Sequence, residues 1–566
     1  MASIFPGLGW ILGFSFICSS LFEIYRRHLL YQDPIAKNFI ASELYRTAYH
    51  FQPTQHWMND PNAPMYYNGV YHLFYQHNPD AATWTANISW GHSVSADLVH
   101  WTGLELALTP SDPFEISGCW TWNQPQYLPG SKPVILYTGL DTVSRQVQNI
   151  AYPKNLSDPF LREWIKPRYN PVIEPHGRID AALFRDPSTA WLGRDGSWRL
   201  TVGTVIDGNG LAMLYKSKDF VKWVPAENPL YYTNGSGMWE CVDFFPLGEA
   251  RGVTKYMLKV SMFDVSYDYY ALGTYDEEGG VFTRDDASST DYRTWPMIDY
   301  GRVYASKTFL DEAKQRRILW GWSNESNSIA DDVAKGWAGI QTVPRVLSLD
   351  TDGKRLVQWP IEELESLRGE QIHLQDIELE TGSQVEVRGL KVSQADVEVE
   401  FELQSLIGAE PFDANWIVDP PKLCREKGAY ANHGGIGPFG LLVLAADNLE
   451  ENTAVYFRVF RAEGSYKVLM CADQRRSSKR SELYKPASGG FVDIDIKKER
   501  KISLRTLIDH SVVESFGGGG RTCITSRVYP TILLNDNTHL YAFNYGTETV
   551  KISELKAWNM AQAQIS

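Results

Sequence analysis

Between about Tyr45 and Gln358 the chain alternates short apolar and aromatic runs with clusters of Gly, Pro, Asn and Asp. The runs at 69–76 (GVYHLFYQ), 132–139 (KPVILYTG), 198–205 (WRLTVGTV), 255–263 (KYMLKVSMF) and 316–323 (RRILWGWS) predict strands. No amphipathic helix of ordinary length interrupts them, so an all-β sandwich, barrel or propeller is expected. Residues 360–369 (PIEELESLRG) predict a short helix, acidic at its start and closed by Arg and Gly. Beyond it the period changes to strict alternation: 385–392 (VEVRGLKV), 395–403 (ADVEVEFEL), 439–446 (FGLLVLAA), 454–462 (AVYFRVFRA), 491–496 (FVDIDI), 501–509 (KISLRTLID) and 538–546 (THLYAFNYG). Period-two alternation over many strands predicts an antiparallel β-sandwich.

Two local features refine this picture. Ser95-Ala-Asp97-Leu98-Val99-His100-Trp101 recurs as Ser217-Lys218-Asp219-Phe220-Val221-Lys222-Trp223. Both copies follow a strand-like run, as equivalent positions in two blades of a propeller would. Gly517–Gly520 form a run of four glycines continued by strand-like residues without the Lys of a phosphate loop, and are read as a hairpin turn.

At about 150 residues per domain, 566 residues suggest three to four domains, fewer if one is a large all-β unit. With 54 Lys and Arg against 68 Asp and Glu, the net charge is −14, which excludes a general nucleic-acid binder. The 19 Trp, 30 Tyr and 24 Phe supply core and also flat platforms of the kind that hold sugars.

The N-terminal run 3–21 is apolar and ends in small residues, as in a signal peptide. It lacks a preceding Lys or Arg and is followed by Arg26 and Arg27, so cleaved signal or propeptide and retained anchor both remain open for residues 1–44. Either sends the chain into the secretory pathway, to vacuole or cell wall. Sequons at Asn87, Asn155, Asn234 and Asn324 agree with glycosylation there. Beyond Cys18, five cysteines remain; no C-x-x-C pair suggests zinc. Cys424 and Cys471, which share the C-terminal region, are the expected disulfide.

Three carboxyls stand in unusual company: Asp60 in HWMNDPN, Asp186 in FRDP and Glu240 in GMWECVD. Apolar neighbours desolvate a carboxyl and favour its protonated form, which suits acid–base work. Glycoside hydrolysis needs one group to protonate the leaving oxygen and a second to attack, or activate water, at the anomeric carbon. A third carboxylate can hold sugar hydroxyls as charge develops. No G-x-S-x-G elbow supports serine hydrolase chemistry. His92, His100 and His176 read as isolated surface or core residues.

WMNDPN (57–62), FRDP (184–187) and WECVDFF (239–245), in this order, resemble the three signatures of glycoside hydrolase family 32, and 503–530 resembles the C-terminal domain of its plant members. The resemblance implies a five-bladed β-propeller carrying the active site (45–359), a linker helix (360–370) and a β-sandwich (371–566), after the N-terminal segment 1–44. It implies retaining transfer or hydrolysis of β-fructofuranosyl units, with Asp60 as nucleophile, Glu240 as acid/base and Asp186 as transition-state stabiliser. By the same resemblance Trp57, Asn59, Gln76, Trp84, Trp120, Thr121 and Arg185 contact substrate. No cofactor or metal is implied, since three carboxyls suffice. The expected partner is a fructan or sucrose-type oligosaccharide, bound by a monomer.

Sucrose-cleaving plant members carry an Asp and a Lys three apart before the D-Y-Y strand; here Phe263 and Ser266 take those places in SMFDVSYDYY. An apolar ring in place of a carboxylate deprives the glucosyl unit of sucrose of a hydrogen bond, as in fructan exohydrolases. Asp264 is adjacent, and a one-residue slip would restore the carboxylate. Trp122 stands where the family usually has Gly, Ala63 where Gly is common, and Val242 where cell-wall invertases have Pro. A fructan exohydrolase is therefore expected. Acid invertase, fructosyltransferase and a non-catalytic fructan-binding homologue are the alternatives.

Overall fold

The computed structural model describes residues 43–121, 126–128, 132–286, 291–430, 434–535 and 537–566. The signal or anchor segment, apart from its last two residues, and Trp122 lie outside them. No helix among the described residues is long and apolar enough to cross a membrane.

The chain folds as a β-propeller followed by a β-sandwich. Among the described residues, five sheets lie within 56–360, each built on a path of at least four strands. Their first strands in chain order are His56–Tyr67, Gly118–Cys119, Phe184–Arg185, Trp239–Ala250 and Tyr304–Asp311. The first sheet takes in a strand from the far end of this region: Trp337–Ala338 pairs in parallel with His56 and Trp57. The predicted strand runs are present as Val70–Asn78, Lys132–Leu140, Trp198–Ile206, Val253–Met262 and Arg316–Ser323.

The heptapeptide repeat marks equivalent places in two sheets. Ser95 and Ser217 each end the strand that precedes its sheet's last short strand. Both serine hydroxyls accept from the N–H three residues on, at 2.8 and 2.9 Å. Asp97 and Asp219 each accept from the two N–H groups beyond. Trp101 and Trp223 each close the turn on the carbonyl three residues back, at 3.1 Å. Leu98 and Phe220 sit at φ 67° and 64°, strained for branched or bulky residues and held by these bonds.

The sandwich is a six-stranded sheet facing a seven-stranded one. Its core is the alternate side chains predicted from the sequence, with Val397, Val399 and Phe401 of one sheet meeting Phe439, Leu441 and Phe457 of the other. Three sequence expectations need correction. The linker is a 3₁₀ helix, Glu362–Leu367, and the first strand of the sandwich starts at Arg368, inside the expected 360–370 linker. Leu364 and Leu367 are buried, so packing against the core rather than helix propensity sets this segment. Residues 385–392 are strand only to Glu386, where Val387 turns inward at the sheet end. Residues 491–496 are strand only to Val492, and Asp495 caps a short helix at Ile496–Glu499.

Cys424, on the helix Pro420–Lys427, is bonded to Cys471 with Cα atoms 5.8 Å apart, as expected. Cys119, Cys241 and Cys523 are free and buried. Gly518–Gly520 form the predicted hairpin turn, with Gly517 ending the strand before it, and Gly520 (φ 88°) lies so close to the propeller that a Cβ there would meet the Gln358 carbonyl at 2.0 Å.

The domains share a buried charged joint. Asp509 of the sandwich accepts the backbone N–H groups of Ala48, Tyr49 and His50 at 2.6, 2.9 and 2.9 Å. The His50 ring lies between Asp509 (2.8 Å) and Glu514 (3.2 Å). Glu514 also pairs with Arg345 of the propeller, which reaches Asp299, both at 2.9 Å.

Candidate active site

Each of the five sheets delivers a side chain to one cluster from its first strand or from the residues just after it. The first gives Asp60, the second Thr121, the third Arg185 and Asp186, the fourth Glu240 and Cys241, and the fifth Tyr304. Three of these strands are bulged at the contributing residue, with register shifts between Met58 and Pro61, Glu240 and Asp243, and Tyr304 and Lys307. A bulge re-aims a side chain that regular alternation would send to the other face. Asp186 at φ 62° and Cys241 at φ 48° hold strained left-handed conformations, as non-glycine residues do at sites their surroundings over-determine.

Asp60 is held by a chain of hydrogen bonds. The Trp57 indole N–H donates to Asn59 Oδ1 at 2.8 Å, and Asn59 Nδ2 donates to Gln76 Oε1 at 2.7 Å and to Asp60 Oδ1 at 3.0 Å. Gln76 donates in turn to the Thr121 hydroxyl, which donates to Asp60 Oδ2 at 2.6 Å. Burial, with Asp186 and Glu240 close by, pushes the Asp60 carboxyl up to about 7 against the pull of the Thr121 and Asn59 hydrogen bonds. Replacing Thr121 by Val should therefore raise this value further. The expected result is an acid limb of kcat/KM moved to higher pH, with a loss of about tenfold or more below it. A pH–rate profile of the variant checks this.

Glu240 is gripped on both oxygens. Arg185 Nε donates to Oε1 at 2.6 Å, and the Tyr304 hydroxyl donates to Oε2. Burial raises the Glu240 carboxyl from its ordinary value; Arg185 opposes that rise and Asp186 adds to it. Asp186 is fixed through its backbone, its N–H donating to Thr138 Oγ1 at 2.9 Å, while its Oδ2 accepts from the Cys241 N–H at 3.0 Å. The Cys241 thiol lies between two carboxylates, 3.4 Å from Asp186 Oδ2 and 3.7 Å from Asp60 Oδ2. One acid hydrogen-bonded to Arg and Tyr beside a second acid hydrogen-bonded to Thr and Asn is an arrangement able to divide protonation and attack between them.

Aromatic rings form the rim. The Arg185 guanidinium lies 5.8 Å from the Trp120 ring and 5.3 Å from the Phe263 ring. Trp84 meets Trp120 edge-on at 6.4 Å, and Trp57 meets Trp322 at 5.8 Å. Trp84 and Phe263 are each 51 % exposed, unusual for large apolar rings and consistent with platforms for a flat ligand face. Asp264, next to Phe263, turns its carboxylate onto Gly237, where a Cβ would stand 1.8 Å from its Oδ2.

Within the sequence-derived set, hydrogen bonds join Trp57, Asn59, Asp60, Gln76 and Thr121, Cys241 links Asp60 to Asp186, and Arg185 joins Glu240, Trp120 and Phe263, with Trp84 against Trp120. The sequence reading missed Tyr304, Cys241, Thr138 and Gln341, whose Nε2 donates to the Asn59 carbonyl at 2.7 Å. A signal was present for Tyr304, because its strand, YASKTFLD, carries Ser, Lys and Thr where a buried strand is normally apolar. His92 is a correction: its Nε2 meets His72 Nδ1 at 3.0 Å in a buried pair, so it is not isolated. Asn87, Asn155 and Asn234 are exposed and Asn324 is partly so.

A family model described as glycosyl hydrolases family 32 N-terminal domain matches residues 50–360, and one described as glycosyl hydrolases family 32 C terminal matches 363–559. A β-fructofuranosidase, insoluble isoenzyme 4, of Oryza sativa subsp. japonica is 53% identical, over 97% of this chain and 94% of its own. A fructan 1-exohydrolase of Triticum urartu is also 53% identical, over 94% of this chain and 90% of its own. The crystal structure of fructan 1-exohydrolase IIa from Cichorium intybus superposes with a TM-score of 0.89 at 49% identity, covering 92% of this chain and 98% of that one.

Proposed function

The chain belongs to glycosyl hydrolase family 32, and from that premise we propose that it is a fructan exohydrolase. It releases terminal fructose from β-2,1- and/or β-2,6-linked fructans by retaining hydrolysis and acts little on sucrose. Asp60 attacks the anomeric carbon, Glu240 protonates the leaving oxygen and then deprotonates water, and Asp186 holds fructosyl hydroxyls as positive charge develops. The support is chemical: Glu240 is buried and raised, and carries donors on both oxygens, while Asp60, from another sheet, lies near enough to feel its charge. A five-bladed reading of the propeller is supported by five sheets among the described residues, each feeding the same cluster. Secretion and glycosylation are supported by the disulfide and by the exposure of three sequon asparagines.

One observation carries the choice of substrate. At the rim beside Arg185 stands the ring of Phe263, while the neighbouring carboxylate of Asp264 is directed onto Gly237. A glucosyl unit placed there meets an apolar surface instead of an acceptor for its hydroxyls. The second reading, acid invertase, is favoured by the equal 53% identity to a relative named β-fructofuranosidase. Product analysis on sucrose, 1-kestose, inulin and levan side by side separates them: fructose from the fructans with slow sucrose cleavage is expected, and fast sucrose hydrolysis would overturn the proposal. Phe263→Asp should raise kcat/KM on sucrose relative to 1-kestose by about tenfold or more, the worth of one good hydrogen bond to a charged acceptor.

A further inference from the structure

The strand Tyr304–Asp311 buries three polar side chains in succession, Ser306, Lys307 and Thr308, all at 0% exposure. Two have evident partners. The Ser306 hydroxyl donates to Asp268 Oδ2, and the Thr308 hydroxyl donates to Asp243 Oδ2 at 2.6 Å. The Lys307 ammonium has no hydrogen-bond partner among the described residues. Another buried lysine, Lys259, provides the contrast. Its ammonium donates to the Cys241 carbonyl at 3.1 Å and to Ser261 Oγ at 3.0 Å, and pairs with Asp268 at 3.4 Å. Lys259 is spoken for by structure, whereas Lys307 is not. An unpartnered buried charge is costly, and its retention points to work done through space.

Its direction is set by the bulge. In a regular strand, residues three apart face opposite sides. The register shift between Tyr304 and Lys307, with Ala305 at φ 55°, inserts one residue and brings both side chains toward the same centre. Tyr304 reaches Glu240 there. The groups that act on Lys307 are Cys241, Asp186, Asp243 and Asp60, drawn from the first, third and fourth sheets. Around these lie Lys259 beside Cys241, Asp268 beside Tyr304, and Arg317, of the same sheet as Lys307, beside Asp243. Arg185 completes the set above, at Glu240.

We propose that Lys307 is a positioning residue of this site, supplying the buried counter-charge that lets Asp60 be ionised close to Asp186 and Glu240. The proposal rests on the hydrolase reading and deepens it. Carboxyls this close together repel one another once ionised, and burial adds to the cost of charging Asp60. A buried ammonium acting on Asp60 favours its charged form, as Arg185 does at Glu240. Without that cation Asp60 holds a proton to higher pH and cannot attack.

The test compares Lys307→Met, Lys307→Gln and Lys307→Arg with the wild-type chain, reading kcat/KM on 1-kestose from pH 3.5 to 8 alongside thermal melting. Both neutral variants are expected to move the acid limb up by about one pH unit, with roughly tenfold lower kcat/KM below the limb and little change in KM. Lys307→Arg is expected to leave the limb near its wild-type position whatever it does to kcat. An unmoved limb in a folded neutral variant overturns the proposal, even if kcat falls. Should both neutral variants fail to fold, Lys307→Arg decides alone: an unmoved limb supports the proposal and a displaced one overturns it. Absence of turnover by the wild-type chain overturns both this and the hydrolase reading, whereas turnover with an unmoved limb overturns this inference only.

Discussion

Asp60→Asn should reduce fructose release from 1-kestose by about 10⁴-fold or more, with the fold intact. The amide keeps the shape and still accepts from Thr121, but it cannot form the fructosyl ester on which a retaining mechanism depends. Glu240→Gln should fail differently. An amide cannot protonate the leaving oxygen, so substrates with a sugar leaving group should slow by about 10²–10⁴-fold. A fructoside with a good leaving group, such as a nitrophenyl fructoside, needs no such proton and should still fructosylate Asp60. Deglycosylation then stalls for want of a base, and added azide should restore turnover by attacking without one. A burst of nitrophenol followed by azide rescue in Glu240→Gln, and neither in Asp60→Asn, assigns the two roles. Equal loss in both, without burst or rescue, would contradict the division of labour. Turnover that survives Asp60→Asn would exclude Asp60 as nucleophile altogether.

The second large effect lies far from the chemistry, at the joint between the domains. Asp509 receives three backbone N–H groups and the His50 ring, and Glu514 ties the other side of that ring toward Arg345. All four side chains are fully buried or nearly so. Asp509→Asn removes one charge and leaves the rest of the cluster unbalanced in a dry setting, which should cost about 3–5 kcal/mol and lower the melting temperature on the order of 5–10 °C. Burial alone would lower the His50 value, but hydrogen bonds to Asp509 and Glu514 override it and raise it from 6.5 to about 9. The stability this confers is fully present below pH 6.5 and lost as the pH rises through 9, with an upper bound of about 3 kcal/mol. Asp509, held well below its ordinary 3.8 by His50 and His510 despite burial, contributes stability above that pH and loses it on acidification. The joint should therefore be firmest between about pH 4 and 6.5. Melting temperatures across pH 4–9 should fall on the alkaline side in the wild-type chain and show a flatter slope in His50→Gln.

How much of this was legible beforehand depends on how far each contact reaches along the chain. Asp60, Asp186 and Glu240 each sit in a short motif whose apolar neighbours announce a desolvated acid. The Ser95 and Ser217 turns repeat because local side-chain to backbone bonds fix them. Tyr304, Cys241 and Gln341 could not be read in this way, since their roles arise only when separate sheets converge, and bulges re-aim two of them against the expected alternation. His50 was equally silent, its partner Asp509 lying 459 residues away. The segments 385–392 and 491–496 show the same limit in the other direction: their patterns fit strands, but Val387 and Ile496 are buried by packing where the sheet has already ended.

The parallel pairing of the first strand with Trp337–Ala338 also bears on synthesis. The backbone of Asn59, next to Asp60, waits for the Gln341 side chain, 282 residues further on. At about 5–20 residues per second, that partner leaves the ribosome roughly 15–60 s after Asn59 does. Through that interval the first sheet has an unpaired edge, and Asp60 lacks the backbone tether that fixes its position. The nascent chain thus has no assembled site until more than half of it has been made, which gives the hydrolase latency during translation.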